Sequence, residues 1–100
     1  MTGDAGARTG GVTVSEEAFD LIGRSIRQAN YDPGHVGVRI RLVGGELRPR
    51  FVPAPEPGDE VAESGEVRVF LDAKLVRENP GAQVAVSQEH DQLVLRAPSG

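Results

Sequence analysis

The chain has 100 residues, is 38% hydrophobic and 4% aromatic, and carries a formal net charge of −4 at neutral pH. That length suits one domain with a modest core, and valine, leucine and isoleucine make it aliphatic and sheet-prone. The absence of cysteine excludes disulfides, thiolate nucleophiles, zinc ribbons and the usual iron–sulfur ligation, while acidity and scarce aromatics argue against nucleic acid.

Residues 1–11, MTGDAGARTGG, are small and polar and are expected to form a loose tail, followed by one domain over 12–97 and a short tail over 98–100. No apolar run approaches the roughly 20 residues that span a bilayer, and the N-terminus lacks a hydrophobic signal core, so a soluble cytoplasmic protein without membrane contact is expected. VTVS at 12–15 alternates and predicts a short strand, with Ser15 capping the helix that follows. Glu16 and Glu17 suit the positive end of that helix, and Phe19, Ile22, Ile26 and Ala29 recur at helical spacing as its buried stripe. Asn30 and the Asp-Pro-Gly at 32–34 end it.

VGVRIRLV (36–43) and ELRPRFV (46–52) then read as two strands joined by Gly44-Gly45. The acidic, proline-rich stretch from 53 to 66 predicts a loop with at most a brief extended piece at 60–62. A strand at 66–72, two helical turns at 73–79 ended by Pro80-Gly81, and a hairpin built from QVAVSQ and QLVLRA around Glu89-His90-Asp91 complete the chain.

A turn at Gly44-Gly45 pairs Arg41 with Arg48 and Arg39 with Arg50. It sets Val38, Ile40, Leu42, Leu47, Pro49 and Phe51 on the core face and all four arginines on the other. Like charges directly opposite each other repel, so four readings are open. The acidic stretch (Glu56, Asp59, Glu60, Glu63, Glu66) folds across the guanidiniums and neutralises them; the face is merely solvated; the register is one residue off, which breaks the cluster; or Arg39, Arg41, Arg48 and Arg50 form a docking patch for an acidic protein or a small anion. Pro49 withholds a backbone N–H and places its strand at a sheet edge.

The order of VTVSEEAFDLI, GVRIRLVGG, EPGDEV and VRVFLDAKL resembles the HesB/IscA-like family, the A-type carriers of iron–sulfur cluster biogenesis, from about Val12 to Ala97. The resemblance implies an α+β, HesB-like domain of mixed short strands with one main and one short helix. It also implies an iron–sulfur assembly component as partner and a tendency to form homodimers. Carriers of the family hold a cysteine in the glycine-rich turn and a Cys-Gly-Cys near the C-terminus. Here the turn is cut to Gly44-Gly45 and the chain ends in RAPSG, so no ligand position carries over.

Histidine is the remaining soft donor, and only His35 and His90 are present. A mononuclear site from both histidines with Glu89 or Asp91 is conceivable, but nothing in the sequence brings them together. No nucleophile, base and stabiliser share a recognisable spacing; Ser15 reads as a cap, Ser87 as a hairpin residue, and the glycines precede a strand and not a helix, so they are no phosphate loop. The expectation is a non-catalytic relative of the carriers, binding no metal or cofactor of its own and acting through protein contact. An accessory factor paired with a cysteine-bearing carrier, or an anion-binding module, are the alternatives.

Overall fold

In the computed structural model, residues 11–89 and 91–97 are described; the expected N-terminal tail apart from Gly11, the expected tail at 98–100 and His90 lie outside the described residues. In chain order the elements are β1 (Thr13–Val14), α1 (Glu16–Gln28), β2 (Gly37–Val43), β3 (Glu46–Val52), β4 (Glu60–Ser64), β5 (Val67–Leu71), α2 (Ala73–Glu78), β6 (Gln83–Ser87) and β7 (Gln92–Arg96). They form a four-stranded sheet in the order β3-β2-β5-β4 and a three-stranded sheet in the order β1-β6-β7. The β1–β6 and β2–β5 pairs are parallel and the others antiparallel. This is the expected α+β arrangement.

Ser15 caps α1, its Oγ accepting the Ala18 N–H at 3.1 Å. Ala18, Ile22, Gly23 and Ile26 form the buried face of α1, which packs on β5 and β6. Phe19 is half-buried, but Ala29 falls outside the expected stripe: it is the C-cap and is exposed. The helix stops there because Asn30 turns to φ 66°. Its N–H then reaches the Arg27 carbonyl at 2.9 Å, and the Tyr31 N–H reaches that of Ile26 at 3.0 Å, which satisfies carbonyls that the helix leaves open.

The stretch from 53 to 66 departs from expectation, because β4 is a full strand paired with β5 around a turn at Gly65. Its side chains could not announce it. Of the three residues on its inner face, Glu60, Ala62 and Ser64, only Ala62 is apolar and packs on the core, opposite Val69, and Val61 on the other face is 50% exposed. Backbone pairing, not apolar content, recruits this edge strand.

The β2–β3 register is the expected one, with Arg39 opposite Arg50, Arg41 opposite Arg48 and Val43 opposite Glu46. Gly44 and Gly45 lie at φ 60° and 84°, the left-handed pair that a two-residue type I′ turn requires. The residues flanking such a turn exchange both hydrogen bonds, and the pattern alternates from there. Glu46, Arg48 and Arg50 thus turn their backbone groups toward β2, while Leu47, Pro49 and Phe51 turn theirs outward. Pro49 therefore interrupts no bond to β2, and β3 lies at the sheet edge as its proline implied. On the core face Val38 and Ile40 are buried and Leu42 and Leu47 half-buried, but Pro49 is exposed and Phe51 is 39% exposed. The expected core face thus thins out towards β3.

Candidate functional site: the arginine face of the β2–β3 hairpin

Alternation along β2 and β3 sends all four arginines to the outer face of the sheet, yet they do not share one environment. Arg39 is only 8% exposed. Its Nε donates to Asp59 Oδ2 at 2.9 Å, and its Nη2 donates to Asp59 Oδ1 at 3.0 Å and to Asp72 Oδ1 at 2.9 Å. Glu56 Oε1 stands 3.6 Å from Nη2. The hydrogen bonding that Arg39 donates to Asp59 raises its pKa above the ordinary value, opposed by burial and reinforced by the charges of Asp59, Glu56 and Asp72.

Each aspartate also holds backbone. Asp59, whose side chain is 1% exposed, accepts the Glu56 N–H through Oδ2 at 2.9 Å. Asp72 caps α2, accepting the Leu75 N–H through Oδ2 at 3.4 Å. Arg39 therefore ties β2 to the 53–59 loop and to the start of α2, a bidentate, charge-assisted lock. Beside it Phe70, opposite Arg39 on β5, is also buried on this face. It lies against Gly37, where an added Cβ would stand 2.6 Å from Phe70 Cε2.

Arg41, Arg48 and Arg50 remain exposed. Arg48 Nη2 is 3.4 Å from Glu46 Oε1, with both side chains largely in solvent, so that pair adds little. Among the described residues Arg41 and Arg50 make no ion pair. The expected neutralisation by the acidic stretch thus operates on Arg39 alone, through Asp59 and Glu56; Glu60, Glu63 and Glu66 form no ion pair with the arginines. Asp72, absent from the sequence reading of this cluster, lies 33 positions from Arg39. Its place just before a helical run marks a cap, but only the parallel β2–β5 pairing brings it to Arg39.

Of the candidate metal donors, His90 lies outside the described residues. His35 is exposed, with Nδ1 3.3 Å from Asp32 Oδ2 on the same turn, and among the described residues no group of three or more His, Asp or Glu is placed to hold a metal ion. No helix among them is long and apolar enough to cross a membrane.

The order of elements and the paired sheets define a HesB-like fold, the fold of iron–sulfur carrier proteins. Escherichia coli SufA, described as involved in the biosynthesis of iron–sulfur clusters, is similar over 88% of this chain and 84% of its own, with TM-score 0.65 and 21% identity. A protein of Aquifex aeolicus solved by NMR is similar over 87% of this chain and 91% of its own, with TM-score 0.67 and 24% identity. IscA, solved with its 2Fe–2S cluster, is similar over 85% of this chain and 81% of its own, with TM-score 0.51 and 14% identity. The sequence matches no protein-family profile and no curated protein, so the likeness is one of fold. The cluster that IscA carries does not fit the residues present here. The β2–β3 tip is Gly44-Gly45 between Val43 and Glu46, open to solvent around both glycines, and the chain has no thiolate to offer.

Proposed function

We propose that this protein is a non-catalytic, cytoplasmic member of the carrier fold that carries no iron–sulfur cluster itself and acts by protein contact through Arg41, Arg48 and Arg50. One observation carries this reading: an acidic chain keeps Arg41 and Arg50 exposed and unpaired on one face, with Arg48 between them, after spending its nearby carboxylates on Arg39. Arginine binds carboxylates in a planar, bidentate way, so the partner surface is acidic. The shared fold makes a component of iron–sulfur assembly, a cysteine-bearing carrier in particular, the first partner to try. Titration calorimetry of the full chain against purified SufA tests it. Binding that weakens with salt and is lost in an Arg41→Glu/Arg48→Glu variant supports the reading, and binding indifferent to charge reversal contradicts it.

A small anion is the second reading, favoured by the directly opposed Arg41 and Arg48. Phosphate-induced thermal stabilisation that the same variant abolishes supports it; no stabilisation discards it.

A further inference from the structure

The exposed arginines lie beside two features that protein contact through a flat charged face leaves unused. One is the outer edge of β3, where Leu47, Pro49 and Phe51 turn their backbone groups away from β2. The other is the groove beneath it, lined by Leu42, Leu47, Pro49 and Phe51 of the hairpin and by Leu93 and Leu95 of β7, with Glu46 and Asp91 also on its wall. Phe51 and its edge-on neighbour Tyr31, ring centroids 5.3 Å apart, are the most exposed aromatic residues among those described.

We propose that β3 accepts an added strand from a protein partner, in which carboxylates alternate with apolar side chains. In an added strand alternate residues fall on opposite faces. One set lies over the outer face, directly opposite Arg48 and Arg50, where acidic side chains are favoured. The other set points under the sheet, where apolar side chains cover Pro49 and Phe51 and fill the groove. Pro49 supplies a carbonyl and no N–H, so the donors of the edge are Leu47 and Phe51.

Charge selects the occupant. A second copy pairing edge to edge about a twofold axis brings like residues together: an axis at Arg48 sets Arg48 against itself, and one at Pro49 sets Arg48 against Arg50. An axis at Arg50 sets that arginine against itself, whereas an axis at Leu47 sets Arg48 against Glu46 and one at Phe51 sets Arg50 against Val52, but these two join only the tip or the far end of the strand. Charged residues and a proline on an edge are devices against self-pairing, and the same arginines attract an acidic strand of another protein.

The inference rests on the protein-contact reading and names the chemistry of the partner. Its test uses the full chain and an amide-capped octapeptide alternating glutamate with valine. With roughly 90% of the chain bound, exchange of the Leu47 and Phe51 amides slows about tenfold, because those are the donors the added strand engages. An Arg48→Glu/Arg50→Glu variant loses the glutamate peptide and takes its lysine counterpart. Binding without protection of the two amides, no binding, or a variant that still takes the glutamate peptide overturns the proposal. So does a dimer in sedimentation whose Leu47 and Phe51 amides are protected without peptide. If strand addition alone is wrong, salt-sensitive binding to SufA survives; if the contact reading is wrong, both are lost.

Discussion

Arg39 and Arg41 are two positions apart on one strand and point from the same face, yet one is locked and the other is open. The difference lies in Asp59 and Asp72, which enclose Arg39 and also hold backbone N–H groups. Asp59→Ala removes two of the three hydrogen bonds of the buried Arg39 guanidinium while Asp72 and Glu56 stay beside it, so it costs about 1.5–3 kcal/mol in urea unfolding. Arg48→Ala, which loses only a solvent-exposed pair, stays within about 0.5 kcal/mol of the parent protein. The raised pKa of Arg39 gives its contribution a definite sign. It is fully present below the pKa of an unfolded arginine and is lost only as pH rises through the still higher folded value, so this lock is constant across neutral pH. Strand parity made the arginine face legible from sequence, and the acidic stretch made a carboxylate partner legible; which arginine would be enclosed was not, because Asp72 comes from a distant strand end.

The β2–β3 hairpin and the β4–β5 hairpin meet across the parallel β2–β5 pair, and that pair depends on a close approach. An added Cβ at Gly37 would stand 2.6 Å from Phe70 Cε2 and 2.9 Å from the Arg68 carbonyl oxygen, and backbone on one side leaves the ring little room to give. Gly37→Ala therefore destabilises by about 1–3 kcal/mol, read as a fall in Tm of roughly 4–8 °C per kcal/mol in a chain of this size. An unchanged Tm would show that the ring repacks freely. Elements with a clear period, such as α1 and β2, could be read from the sequence together with the Gly-Gly turn. β4 could not, because an edge strand held by its neighbour's backbone needs no apolar alternation of its own. The thinning of the core at Pro49 and Phe51 was equally hidden, since periodicity marks a face without saying what covers it.

At the scale of the molecule, the fold seen in SufA and IscA occurs in a chain without cysteine. The resemblance of element order led to the fold that SufA and IscA share, and the cysteine count bounded what that fold can do here. Thiolates are the donors that hold an iron–sulfur cluster; a turn of two glycines supplies none. What the fold does present is a sheet with exposed Arg41, Arg48 and Arg50 and with β3 as its edge strand. The central claim is therefore that the architecture serves contact without cargo. Anaerobic reconstitution with ferrous iron and sulfide, followed by metal analysis and absorption spectroscopy beside SufA as a cysteine-bearing control, tests it most directly. The account predicts cluster uptake by the control and none by this protein; stoichiometric iron and sulfide on this chain would contradict it and send attention to His35, His90 and the neighbouring carboxylates.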